Sequence, residues 1–226
     1  GVPPGRDSYP GDIFYLHSRM IERAAQLDQK HGGGSMTFIP VVELQEGDLT
    51  AYVPTNLISM TDGQLFLNAS LFNEGFRPAV DIGLSVSRVG SKVQWKATKE
   101  ISKTLRMEFI QFKELVRASK LQASGQSEET RESLRSGKIL QALLTQPANK
   151  PVPIEIQIML FYAKENHLFK DFEVEHVQGF IVGFEAYARK EDGVLFALIR
   201  EKKTLTDEIK KRMRNLPTQS GKANGF

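Results

Sequence analysis

The chain has 226 residues, 40% hydrophobic and 25% charged, which is enough for one large or two small cored domains of ordinary composition. Thirty lysines and arginines against 27 aspartates and glutamates leave a net charge of only +3, too weak and too interleaved with acids to argue for nucleic acid. Cysteine is absent, which excludes disulfides, thiolate metal sites and a cysteine nucleophile, and the four histidines (His17, His31, His167 and His176) lack metal-ligand spacing.

No apolar run reaches the roughly 18 residues of a membrane span, and the first residues do not read as a signal peptide. Any membrane link is therefore expected to come through partners. The chain opens without a methionine on a loop, Gly1 to Arg6, and reads as though it starts in the middle of something.

Gly11-Asp12 sets up a helix with Asp12 as its N-cap. Ile13, Leu16, Met20, Ala24 and Leu27 follow at helical spacing until Lys30, His31 and the triple glycine 32–34. Thr37–Glu43 is a strand candidate tempered by Pro40, and Glu46-Gly47-Asp48 is a turn. Two short apolar strands are expected at Asn56–Met60 and Gly83–Val86, separated by the turn Thr61–Gln64, an apolar piece Leu65–Leu67 and an Arg77-Pro78 step. Strand, turn and helix signals alternate in the α/β manner up to Gly90.

At Ser91 the texture changes. Val93, Ala97, Ile101, Leu105, Phe109, Phe112 and Val116 predict one long amphipathic helix capped by Ser91, interrupted by the polar stretch Ser119–Gln126. Ser127 opens a second helix to about Leu144, and Pro151 and Pro153 introduce a third at Ile154–Lys164. Two more are expected at His176–Lys190 and Val194–Lys203, then a short one capped at Thr206, and a polar tail from Thr218. The domain boundary is expected near Gly90, dividing the chain into 1–90 and 91–226.

The chemistry begins with an absence. No Gly-x-x-x-x-Gly-Lys-Ser/Thr loop exists: Gly137-Lys138 is followed by Ile139 and has Glu132 at the leading-glycine position, and Gly221-Lys222 lies in the tail. The chain alone cannot cradle a triphosphate with its own backbone N–H groups. What it does hold is a set of hydroxyls, Ser59, Thr61, Ser85 and Ser87, near a lone arginine, Arg88. Hydroxyls and a planar guanidinium are what phosphate charge requires; a core strand pair with a surface arginine is the other reading. The basic cluster Arg200, Lys202, Lys203, Lys210, Lys211, Arg212 and Arg214 has no interleaved aromatics to stack bases and reads as a solvated helix face.

The phrases SVSRVG (85–90), AYVPTNLISMTDGQLFL (51–67), Arg77-Pro78-Ala79, the opening PPGR with SYPGDIFYLHSRMIERAA, and LLTQP with PIEIQ later on closely resemble the alpha subunit of rotary F-type ATP synthases. The resemblance covers the carboxyl-terminal part of that family's sequence. It implies α/β followed by all-α: the later half of a RecA-like P-loop-type nucleotide domain, lacking its P-loop, and then a C-terminal helical bundle domain.

By the same resemblance, Arg88 matches the arginine finger that reaches in trans into the catalytic site of the beta subunit, and Ser59 and Ser85 match serines near that phosphate. Arg77, Pro78 and Gln146 match the adenine pocket of the alpha subunit's own non-catalytic site. A second pocket glutamine falls on Ala148 here, and the acidic rotor-side turn is replaced by Ser124–Thr130. The resemblance implies ATP or ADP with Mg²⁺ as ligands, the metal and phosphate being held mostly by groups outside this chain; no metal ligand is assigned within it. It also implies beta subunits, a central-stalk gamma subunit and a peripheral stalk as partners in a proton-translocating assembly. A separate amino-terminal alpha piece carrying the P-loop is a further expected partner, without which the isolated chain is expected to aggregate. The tail resembles mitochondrial versions, which suggests the matrix face of the inner membrane. The alternative is a structural or regulatory chain of such an assembly with no working nucleotide chemistry.

Overall fold

The computed structural model describes residues 2–121, 127–170 and 172–216. Residues 122–126 of the polar interruption and of the Ser124–Thr130 phrase, and the tail with Gly221-Lys222, lie outside the described residues. Two compact units divide the chain. Unit 1 comprises Gly1–Phe66 and Ser85–Val89; unit 2 comprises Leu67–Leu84 and Gly90–Phe226.

Unit 1 holds α1 (Ile13–Ile21), α2 (Tyr52–Met60), β1 (Gly63–Gln64) and β2 (Val86–Ser87). α1 ends well before the triple glycine that was expected to stop it. Gly32, Gly33 and Gly34 all have positive φ and turn the chain back, so that the Leu27 N–H meets the Gly34 carbonyl at 2.9 Å and the Met36 N–H meets that of Ala25 at 2.8 Å. These bonds replace helical ones. Asp12 occupies the N-cap position of α1 without a side-chain hydrogen bond.

The expected strand at Asn56–Met60 is instead the second half of α2. Pro54 is tolerated in its first turn, where no intrahelical donor is needed, and a short apolar run cannot be told from a strand by periodicity. The Thr37–Glu43 segment has no strand assignment. The expected Gly83–Val86 strand is displaced to Val86–Ser87, because the Asp81 carboxylate accepts from the Gly83 and Leu84 N–H groups at 2.9 and 3.2 Å and bends the backbone there. β1 and β2 pair antiparallel, Gly63 opposite Ser87 and Gln64 opposite Val86. Among the described residues of unit 1 only Pro54 is buried, while Ile39, Val41 and Leu65 are 77%, 92% and 77% exposed.

Unit 2 carries α3 (Ala69–Asn73), α4 (Gly90–Val93), α5 (Lys96–Leu121), α6 (Glu128–Leu144), α7 (Ile154–Glu165), α8 (Val174–Lys202) and α9 (Asp207–Asn215). The long helix is not capped by Ser91. A short α4 comes first, and α5 starts at Lys96, where the Ala97 N–H donates to the Lys203 carbonyl at 3.0 Å. α6 is capped by the Ser127 hydroxyl, which accepts from the Thr130 N–H, and α9 by Thr206, which accepts from Ile209.

The two helices expected at 176–190 and 194–203 appear as α8 with a break at Asp192 (φ −148°, ψ 73°). The Asp192 carboxylate accepts from the Leu195 N–H at 3.2 Å, an N-cap for the second piece. The core is continuous across unit 2, from Ile101, Leu105, Phe109 and Phe112 of α5 through Leu140, Ile158 and Phe169 to Leu195 and Ile199. Burial of such side chains contributes roughly 1.5–3 kcal/mol each.

Candidate functional site

Arg88 follows directly on β2, and the ladder fixes it. Its N–H donates to the Asp62 carbonyl at 2.8 Å, and its guanidinium donates through Nη2 to the Ile58 carbonyl at 3.2 Å. Ile58 belongs to the last turn of α2, where carbonyls lack intrahelical donors and the helix dipole is negative. A permanently charged fork is therefore held at a helix C-terminus by one contact, with donors still available on an exposed side chain.

Ser59, next to Ile58, shares that helix end. Its hydroxyl donates back to the Asn56 carbonyl at 2.7 Å and it is exposed. Ser85 is half-buried, and its oxygen accepts from the Phe66 N–H at 3.0 Å. The structure thus brings Ser59 and Arg88 to one end of α2 and gives Ser85 a backbone contact three residues before the arginine. Thr61 joins the helix end to β1, its hydroxyl 2.8 Å from the Leu57 carbonyl and 3.1 Å from that of Gly63. Gly63 is needed where it stands: a Cβ there would collide with the Val86 carbonyl and approach the Ser87 Cα to 2.9 Å.

Unit 2 holds the second set. The Gln146 N–H donates to the Arg77 carbonyl at 2.9 Å, so the Arg77-Pro78 step and the loop after α6 are tied together. The Arg77 guanidinium lies over the Phe72 ring, 4.3 Å from its centroid. Sequence reasoning passed over Phe72, although an aromatic five residues before an arginine across the Gly75 turn was a usable signal. Pro78 is exposed beside it, Gln146 is half-buried, and Ala148 is exposed in the turn that follows. The Gln146 side chain is a primary amide, which offers both a donor and an acceptor. Among the described residues no group of three or more His, Asp or Glu side chains is placed to hold a metal ion, and no helix is long and apolar enough to cross a membrane.

One unit thus carries an exposed arginine at the end of α2, and the other, helical unit carries the Arg77–Phe72 stack tied to the loop after α6. The chain belongs to the ATP synthase alpha/beta family. The family model for the nucleotide-binding domain matches residues 1–87, and the model for the C-terminal domain of the alpha and beta subunits matches residues 94–219.

Among curated relatives, the sequence is 47% identical to the ATP synthase subunit alpha of Clostridium acetobutylicum over 211 residues, covering 93% of this protein and 42% of the relative. It is 44% identical to that of Clostridium kluyveri over 213 residues, covering 94% and 42%. The chain thus spans less than half the length of these relatives. They are bacterial, and the mitochondrial placement expected from the tail finds no support in them. The RecA-like architecture expected for residues 1–90 is not seen: among the described residues the named strands are the two-residue β1 and β2.

Proposed function

We propose that this chain is the carboxyl-terminal part of a non-catalytic alpha subunit of a rotary ATP synthase and supplies Arg88 in trans to a catalytic site on the beta subunit. The observation that carries this is the placement of Arg88. It is an exposed guanidinium aligned by the β1–β2 ladder and held at the end of α2 beside Ser59. Phosphoryl transfer spreads negative charge over the transferring group, and an arginine from a neighbouring subunit stabilises it. Ser59 and Ser85 stand near that phosphate in this reading, Ser85 also clasping the backbone behind the arginine.

Arg77, Pro78 and Gln146 contact the adenine of a nucleotide in the protein's own non-catalytic site, with Mg²⁺ and the phosphates held by groups this chain does not contribute. Beta subunits, a gamma stalk, a peripheral stalk and a P-loop-bearing amino-terminal alpha segment are the partners, in a complex peripheral to a membrane. Residues 1–90 serve the nucleotide domain and 91–226 the helical domain.

The test is Arg88→Lys in the assembled complex. An ammonium cannot reproduce the planar fork, so turnover falls by about 10³-fold or more with subunit composition unchanged. Normal turnover overturns the finger assignment. A second reading, a structural chain without nucleotide chemistry, draws on the exposed Ala148 where the family has a glutamine. It predicts that changing Arg88 disrupts assembly without a specific catalytic loss.

A further inference from the structure

The basic cluster that the sequence singles out near the C-terminal end is largely neutralised. Arg200 pairs with Glu155 at 2.7 Å, Lys210 with Glu100 at 3.3 Å, and Arg212 with Asp192 at 2.9 Å and Glu208 at 3.5 Å. Positive charge without a partner lies elsewhere, along α5. Lys96, Lys99, Lys103, Arg106 and Arg117 are exposed, and among the described residues their side chains enter no ion pair or hydrogen bond.

At 3.6 residues per turn Lys96, Lys99, Lys103 and Arg106 fall within an arc of about 80° over about 15 Å, and Arg117 lies in the same arc about three turns further on. The acids of the same helix do not offset them. Glu100 is taken by Lys210, and Glu108 by Lys164 at 2.7 Å; Glu114 lies on the same face but about two turns beyond Arg106, beside Arg117. Lys113, on the same helix, is itself paired with Glu74. Like charges three and four residues apart repel along a helix, so this face is tuned for something outside it.

We propose that the solvent face of α5 is a docking surface for an acidic helix of a protein partner, one carrying Asp or Glu at three- and four-residue intervals. From Lys96 to Arg106 the charges run in a straight row with helical spacing, which a second helix matches over about three turns. Exposed Met107 lies beside the row and half-buried Ile110 follows Arg106 in it, and both supply apolar contact. The aromatic residues of α5, Phe109 and Phe112, are buried on the side turned to the core, so the row has nothing to stack on bases or to insert into lipid. The proposal is independent of the role given to Arg88.

The test uses the full protein on a solubility carrier, with the carrier alone as blank, and fluorescence anisotropy of a labelled alanine-based helical peptide bearing glutamates at positions i, i+3, i+7, i+10 and i+14. A peptide of the same composition with its glutamates in one block is the comparison. The spaced peptide binds at least tenfold tighter than the blocked one, and binding weakens between 50 and 150 mM salt. Lys99→Glu with Lys103→Glu abolishes that preference, whereas Lys138→Glu with Lys150→Glu keeps it. The milder Lys99→Gln with Lys103→Gln, folded by circular dichroism, weakens binding at least threefold. Equal binding of the two peptides, or equal affinity of the stripe and control variants, overturns the proposal. So does stripe-dependent binding to vesicles of 30% phosphatidylserine or to a 20-base-pair DNA duplex in the absence of peptide binding.

Discussion

Arg88 donates from its guanidinium to the carbonyl of Ile58, thirty residues earlier, at 3.2 Å. That contact exists because β1 and β2 approach without a side chain between them at Gly63, whose missing Cβ clears the Val86 carbonyl. Gly63→Ala is expected to push the two strands apart and carry Arg88 away from the end of α2. Misplacement of a catalytic group by about 1 Å can cost about 10²-fold in rate. Turnover in the assembled complex should therefore fall by about that factor, with amide-exchange protection lost at the Arg88 N–H. Unchanged protection and rate would remove Gly63 from the account.

Ser85 can be tested apart from Arg88. Its half-buried oxygen accepts from the Phe66 N–H, and leaving such a donor unmet costs about 1–3 kcal/mol. Ser85→Ala is expected to destabilise the strand pair and speed amide exchange at Phe66. Ser85→Thr, which keeps the hydroxyl, should restore the protection. A rate loss in Ser85→Ala with Phe66 fully protected would instead favour a direct phosphate contact.

Which parts of this were legible follows from the kind of signal each residue carries. Ser127 and Thr206 announce helix starts because a side-chain oxygen accepting a backbone N–H is a local event, and both caps are found. The division of α8 was legible because Asp192 acts locally too, accepting from Leu195. Asn56–Met60 was misread because a run of three apolar residues among an amide and a hydroxyl fits strand and helix equally. What decided the matter, the start of α2 at Tyr52, lies upstream of the window. The partners of Arg88 were not legible at all. Every residue has a backbone carbonyl like those of Ile58 and Asp62, and only the ladder determines which of them meet the arginine.

Phe72 offers a test of the second set. Its ring supports the Arg77 guanidinium at 4.3 Å, an exposed arrangement worth about 0.5–1 kcal/mol. On the adenine-site reading proposed above, Phe72→Leu weakens binding of a fluorescent ATP analogue by the assembled complex about two- to fivefold, leaving initial turnover unchanged. Arg77→Ala should weaken it further, and the double variant should show no additional loss from Phe72. Additive losses would mean that the two residues act separately.

Packing between α5 and α6 depends on Gly137. A Cβ there would overlap the Phe112 ring and lie 2.7 Å from the Phe112 Cβ, and Phe112 is only 5% exposed. Gly137→Ala is expected to cost about 1–3 kcal/mol by overpacking and lower Tm by about 2–4 °C per kcal/mol. Phe112→Leu added to it should recover part of the loss, a coupling that a double-mutant cycle reads directly. A Gly137→Ala protein as stable as the parent would show that the interface has slack.

Glu155 gives the helical unit a pH dependence with a definite sign. Its carboxylate, 2% exposed, accepts from the Nε of Arg200 at 2.7 Å. Burial is the strongest single influence and pushes its pKa up. The Arg200 hydrogen bond and charge, the backbone, and the charge of Arg189 together outweigh burial and hold the pKa below the ordinary value of 4.5. A carboxylate whose folded pKa is depressed stabilises the fold above its unfolded pKa, and that stabilisation is lost as pH falls through the folded value. Acid unfolding should therefore lose part of its steepness below pH 4.5 in Glu155→Gln. Arg200→Ala removes the strongest of the influences that lower the pKa, so the folded pKa moves up and the stabilisation that is lost on acidification shrinks. Because Arg200 is 72% exposed, solvent screens part of the pair, and the cost of Arg200→Ala at pH 7 is about 1–3 kcal/mol. Urea titrations of the parent and the two variants at pH 3.5, 5 and 7 decide it: parallel pH profiles would show that Arg200 does not control the charge of Glu155.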